Sequence, residues 1–132
     1  MGNLRVAVCD DEPMDLVQTI TLIQQYDTGK CFDIFSYTRA VDLLKIALEK
    51  PFDVVLLDIE METPNGYEIA KKLVMLPSPP VIIFVTKSSA YTLKGYGIAL
   101  RYLQKPLARA AFEEALDASV HEAIAHRLYF TS

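Results

Sequence analysis

The sequence predicts a single α/β domain built on a doubly wound, five-stranded parallel sheet. Three observations predict it. Five short runs, most of them rich in β-branched or aromatic residues, alternate with longer segments whose apolar residues recur three and four apart. Two of the runs, Val-Val-Leu-Leu at 54–57 and Val-Ile-Ile-Phe-Val at 81–85, are apolar throughout, which suits central strands covered on both faces. The 132 residues contain no internal repeat, low-complexity tract or evident linker, and they are enough to bury a core without disulfide or metal staples.

The first strand is predicted over 5–9. The helix after it carries Leu16, Val17, Ile20 and Ile23, with Pro13 near its start and Gly29 beyond its end. The second strand covers 31–36, and its helix presents Val41, Leu44, Ala47 and Leu48 before Pro51. The third strand covers 53–57. Its helix begins at Asn65, where Glu68 completes a capping-box pattern, and Pro77, Pro79 and Pro80 stop it. The fourth strand, 81–86, leads to a shorter helix candidate at 89–96. The fifth strand, 100–103, leads to a last helix that starts near Pro106 and carries Phe112, Leu116, Val120 and Ile124. That stripe reads as packing on the sheet, with a share in a dimer interface as the second reading. Right-handed crossovers then put helices on both faces, and ligands in such sheets bind at the carboxyl ends of the strands.

Composition excludes several classes. At 52% hydrophobic residues and a net charge of −4 the chain is not disordered. No apolar run approaches the roughly 18 residues of a membrane span. The first residues pass at once into a strand, unlike a signal peptide. Cys9 and Cys31 are too few for a disulfide framework, so a reduced, cytoplasmic compartment is expected. Cys9 reads as a small core residue, and His121 and His126, five apart, read as surface residues. A mildly acidic chain is no nucleic-acid binder in its own right.

The acidity is local. Six of the 17 acids fall in two clusters, Asp10-Asp11-Glu12 and Asp58/Glu60/Glu62, and each cluster follows an apolar run. Asp10 and Asp11 follow the first strand, Asp58 the third, Thr86 ends the fourth and Lys105 follows the fifth. The predicted fold brings these strand ends to one rim. Three crowded carboxylates repel, so they need a cation, a raised pKa or both. Oxygen-only ligands favour a hard ion such as Mg²⁺, and Lys105 with the Thr86 hydroxyl would serve an anion brought to it, phosphate being the natural candidate.

Asp10-Asp11, Asp58, Thr86 and Lys105-Pro106, in this order, resemble the receiver domain of two-component response regulators. So does the stretch 58–66, Asp-Ile-Glu-Met-Glu-Thr-Pro-Asn-Gly. The segments 91–96 (Tyr-Thr-Leu-Lys-Gly-Tyr) and 99–106 (Ala-Leu-Arg-Tyr-Leu-Gln-Lys-Pro) look most like receivers attached to LytTR-type DNA-binding domains. The resemblance covers essentially the whole chain. It implies a flavodoxin-like sheet of order 2-1-3-4-5 with five helices, a receiver over 1–127, and 128–132 as a tail or the start of a linker to an output domain absent from this chain. It implies Asp58 as the phosphoacceptor for a sensor histidine kinase. Mg²⁺ would be held by Asp11, Asp58 and the main-chain carbonyl of Glu60, with Asp10 acting largely through water. Lys105 would pair with the phosphoryl group, Thr86 would hydrogen-bond it after transfer, and Tyr102 would be the aromatic switch. The Lys105–Pro106 peptide is expected to be cis. The switched face would comprise the fourth strand, the helix after it, the fifth strand and the last helix, with a phosphorylation-dependent homodimer as a further partner and DNA reached only through the output domain.

Two residues depart from the family's pattern beside the site. Lys87 stands where most receivers have a small residue, and Glu60 adds a carboxylate two residues after Asp58. Glu62 replaces a usual proline, with Pro64 two positions later. These substitutions imply an unusual phosphoryl lifetime. Two alternatives stand beside the receiver reading. One is an aspartate-nucleophile, Mg²⁺-dependent phosphohydrolase, although such enzymes usually carry a second Asp where Glu60 stands. The other is a degenerate receiver acting only as a binding module.

Overall fold

β1 (Leu4–Cys9) lies inside the sheet, as suits a strand whose side chains are nearly all apolar and buried. In the computed structural model, which describes residues 2–61, 65–87 and 97–131, it is followed by α1 (Pro13–Tyr26), β2 (Phe32–Tyr37), α2 (Ala40–Glu49), β3 (Val54–Asp58), α3 (Gly66–Leu73), β4 (Val81–Thr86), β5 (Arg101–Gln104) and α4 (Arg109–Thr131). All four strand pairings are parallel, in the order β2-β1-β3-β4-β5. The two apolar runs are β3 and β4, both interior strands, as parallel strands covered on both faces require. The helix candidate at 89–96, with Tyr91 and Tyr96, lies outside the described residues, as do Glu62 and Pro64. No helix among the described residues is long and apolar enough to cross a membrane.

Strand alternation divides the core in two. Val6, Val8, Val54, Leu56, Ile83 and Val85 point to one face, against Leu16 and Ile23 of α1 and Phe112 and Leu116 of α4. Ala7, Cys9, Val55, Leu57, Ile82 and Phe84 point to the other, against Leu43 and Ala47 of α2 and Ile69 and Leu73 of α3. Each fully buried Leu, Ile or Phe contributes about 1.5–3 kcal/mol from removal of apolar surface.

Three helix faces differ from the sequence reading, and in α1 it is Val17 that turns outward while Thr19 joins Leu16 and Ile23 in the core. In α2, Val41 and Leu48 are exposed, and the buried positions are Ala40, Leu43 and Ala47. In α4 the buried line is Phe112, Ala115, Leu116, Ser119 and Ala123, while Ile124 turns outward. The cause is geometric. A strict spacing of four gains about 40° per step on a helix of 3.6 residues per turn, whereas about eleven residues return to the same face. At α3 the expected capping box is formed: Asn65 Oδ1 accepts from the Glu68 amide at 2.9 Å, and Glu68 Oε1 from the Asn65 amide at 3.2 Å. His121 is exposed as expected, but His126 is half-buried and bonds Ser78 Oγ at 3.3 Å. Asp53 precedes β3 rather than starting it.

Candidate functional site

Parallel pairing puts the ends of β1, β3, β4 and β5 at one edge of the sheet. Cys9 is in register with Leu57, Asp58 with Val85, and Thr86 with Gln104. Asp58 and Thr86 thus end β3 and β4, and Asp10 and Lys105 follow the last residues of β1 and β5, so all four come to this edge. Asp10 and Asp58 are 2% and 5% exposed, Thr86 is 2% exposed, and Asp11 faces solvent. The Lys105 amide donates to the Thr86 carbonyl at 2.8 Å, which fixes where the lysine leaves β5, and the Lys105–Pro106 peptide is cis.

Lys105 Nζ reaches back across the edge to three carboxylates: Asp10 at 2.7 Å, Asp15 at 2.9 Å and Asp58 at 3.2 Å. The second oxygen of Asp10 accepts from the Glu12 amide at 2.9 Å, and that of Asp58 from the Glu60 amide at 3.0 Å. Each buried aspartate is thus oriented by the turn that follows it. Gly66 at the start of α3 holds that turn close to the sheet. A Cβ there would lie 2.2 Å from the Asp58 carbonyl oxygen, so only glycine lets α3 approach the strand end.

Burial and the Asp10 carboxylate push the Asp58 carboxyl up to about 6, against the opposing pull of Lys105 and the Glu60 amide. Burial pushes the Lys105 ammonium down. Its hydrogen bonds to Asp10 and Asp15 and the charges of Asp58 and Asp10 outweigh that, and its proton is held above the ordinary lysine range. The hydrogen bond from Lys105 lowers the Asp15 carboxyl. Burial, then the charges of Asp10, Asp11 and Asp58, push the neighbouring Cys9 thiol up to about 12.

One carboxylate oxygen from each of Asp10, Asp11 and Asp58 lies within 4.8 Å of the others. Such a set of hard oxygen donors, with a single buried ammonium beside it, fits a small divalent cation. A cleft of about 270 Å³ opens next to it, lined by Asp15, Gln18, Lys87, Lys105 and Pro106.

The structure brings Asp10, Asp11, Asp58 and Lys105 together as the sequence implied. Thr86 is at the same edge, but its hydroxyl donates to Glu60 Oε1 at 2.9 Å. Tyr102 stands on β5 two positions from that end and packs against Phe84, ring centroids 5.1 Å apart. Lys87 extends into solvent, its Nζ 4.0 Å from Asp15. Asp15 was missed by sequence reasoning. Its signal was present: Pro13 starts α1, so an acid two residues on lies in the first turn, which faces the carboxyl edge.

Comparison with known proteins agrees with this geometry. The response regulator receiver domain family matches residues 6–117. The chain is 29% identical over 114 residues to the sensory transduction protein LytR of Streptococcus mutans, covering 86% of this chain and 47% of that protein. It is equally similar to the sensory transduction protein LytT of Bacillus subtilis, covering 86% and 46%. The chain thus spans about half the length of these curated relatives. Among solved structures, the response regulatory domain of protein mrkE from Klebsiella pneumoniae shares the fold with a TM-score of 0.84 at 20% identity, covering 92% of this chain and 99% of that one. With 6–117 matched and the strand-end aspartates and lysine gathered at one edge, the chain belongs to the response regulator receiver domain family.

Proposed function

We propose that this receiver accepts a phosphoryl group on Asp58 from the phosphohistidine of a sensor kinase. The observation that carries the proposal is the buried Asp58 carboxylate, flanked by Asp10 and reached by Lys105 at 3.2 Å, in a pocket with more carboxylates than cations. Asp11, Asp58 and the main-chain carbonyl of Glu60 would hold Mg²⁺, with Asp10 beside them through water. When bound, Mg²⁺ supplies positive charge against the oxygens of the transferring group.

Asp58 is the nucleophile. The P–N bond breaks, its electron pair stays on the imidazole nitrogen, and a P–O bond forms to the Asp58 carboxylate. Lys105, protonated throughout, pairs with a phosphoryl oxygen. Thr86 donates its hydroxyl to another, which draws the end of β4 inward. Tyr102 follows because its ring packs on Phe84, in the same strand as Thr86. The surface formed by β4, β5 and α4 then changes its partner preference, in two-state fashion. A LytTR-type DNA-binding domain outside these residues is the proposed output, and a phosphorylation-dependent homodimer a further one. The proposed compartment is the cytoplasm.

Incubation with Mg²⁺ and a small acyl phosphate tests this. One acid-stable, base-labile phosphate per chain, absent from Asp58→Asn, is the expected result. Continuous phosphate release from many donors would instead favour a phosphohydrolase, and no reaction a binding module.

A further inference from the structure

Lys105 and Thr86 are the side chains assigned above to the phosphoryl oxygens. Each already holds a carboxylate oxygen from outside the Asp10, Asp11 and Asp58 group. The Lys105 ammonium has three N–H donors. They match three acceptors one for one, Asp10 at 2.7 Å, Asp15 at 2.9 Å and Asp58 at 3.2 Å. Asp15 is the odd member. It comes from the first turn of α1 rather than a strand end, and its side chain is 25% exposed against 4% and 6% for the other two. The Thr86 hydroxyl has a single proton, and it goes to Glu60 Oε1 at 2.9 Å. A proton given to Glu60 is not available to a phosphoryl oxygen.

We infer that Asp15 and Glu60 are internal stand-ins for the phosphoryl oxygens, positioning residues that occupy Lys105 and Thr86 at rest and are displaced when Asp58 carries its phosphoryl group. The inference rests on the phosphoacceptor reading of Asp58. Both carboxylates have somewhere to go. Glu60 is an exposed residue and turns into water, and Asp15 has the exposed Lys87 ammonium 4.0 Å away. Their displacement costs the phosphorylated state two charge-assisted hydrogen bonds, which are roughly twice as strong as neutral ones. At rest, the same two negative charges favour a divalent cation. Removing either charge should therefore act in opposite directions on a cation and on a phosphoryl group. A residue that merely held the fold together would weaken both.

The test uses the whole chain as wild type, Asp15→Asn, Glu60→Gln and Asp58→Asn. Mg²⁺ alone is titrated first. Beryllofluoride, a tetrahedral fluoride mimic of a carboxyl-bound phosphoryl group, is then titrated at saturating Mg²⁺ and followed by ¹⁹F resonance. The expected result is weaker Mg²⁺ binding by Asp15→Asn and Glu60→Gln, with beryllofluoride bound roughly fivefold to tenfold more tightly by each. If wild type binds beryllofluoride and Asp58→Asn does not, while the other two variants bind it no more tightly than wild type, the phosphoacceptor reading stands and the stand-in inference falls. If folded wild type binds no beryllofluoride at all, the reading of Asp58 fails and the inference fails with it.

Discussion

The two ends of the sheet each set aspartate against a long cation, half-buried at one end and buried at the other, and they treat it oppositely. At the amino end, Asp53 meets Arg127 in a fork, with Nε to Oδ1 and Nη2 to Oδ2 both at 2.8 Å. The Arg5 amide adds a bond to Oδ2 at 2.7 Å, and Arg127 also reaches the Gly2 and Asn3 carbonyls at 2.8 and 2.7 Å. Arg5 itself lies over Phe35 and Phe52, 4.5 and 4.9 Å from the ring centroids. One carboxylate, one bidentate guanidinium, a backbone amide donor and two carbonyl acceptors make a closed structural lock. At the carboxyl end, Asp10, Asp15 and Asp58 share one lysine, with Asp11 beside them. Burial without balanced charge is the mark of a site that waits for something, in the proposed function a cation and then a phosphoryl group.

The largest effect expected from this contrast is a crossing of signs between Asp58→Asn and Asp53→Ala. Asp58→Asn abolishes phosphate incorporation yet raises the metal-free unfolding midpoint, because it removes a carboxylate that burial and Asp10 both disfavour. Asp53→Ala keeps incorporation but strands Arg127. It costs about 2 kcal/mol, below the 3–5 of a fully buried pair because both partners keep some exposure. Urea denaturation and radiolabel counting on both variants measure the crossing. Equal losses of stability would break the comparison.

Next in size is Gly66→Ala. Its Cβ would press on the Asp58 carbonyl, so α3 must retreat from the strand end. A loss of about 1–3 kcal/mol, with slower phosphorylation at unchanged stoichiometry, is expected from denaturation and a labelling time course.

A smaller, pH-dependent effect sharpens the same point. In the folded, metal-free protein the Asp58 carboxyl titrates at about 6, raised from an ordinary 3.8. Between those values the folded state binds more protons than the unfolded one, so this group's contribution to stability falls as pH rises through that window. The stability of wild type relative to Asp58→Asn should decline from pH 4 to 6, then level off. A gap constant across that window would contradict it. The smallest effect concerns the cysteines. Exposed Cys31 reacts with a thiol reagent at mild pH. Buried Cys9, its thiol pushed up to about 12 by burial and the adjoining carboxylates, reacts only on unfolding.

The strand ends were legible in the sequence because parallel β-α order and unbroken apolar runs determine which edge each terminal residue joins. Asp10, Asp58, Thr86 and Lys105 followed from that logic. Helix faces were less legible. Val41 and Leu48 of α2 are apolar but exposed, and Leu43 took the core position, since a short helix with several apolar residues has more than one candidate stripe. Contacts made by long side chains across the fold were not legible. Asp15 meets Lys105 across 90 positions and Arg127 meets Asp53 across 74; the helix start puts Asp15 near the edge, but local spacing names the partner of neither. The Thr86–Glu60 bond is of the same kind: both residues stood out, but their pairing needed the turn after β3.

The carboxyl end of the sheet is short of positive charge, and a divalent cation is its proposed complement. The most direct measurement is the unfolding midpoint of wild type and Asp58→Asn across a Mg²⁺ titration at neutral pH. The midpoint should climb with Mg²⁺ in wild type, by linkage to a site present only in the folded chain, and climb much less in Asp58→Asn. A flat wild-type curve, or the same rise in both proteins, would contradict it.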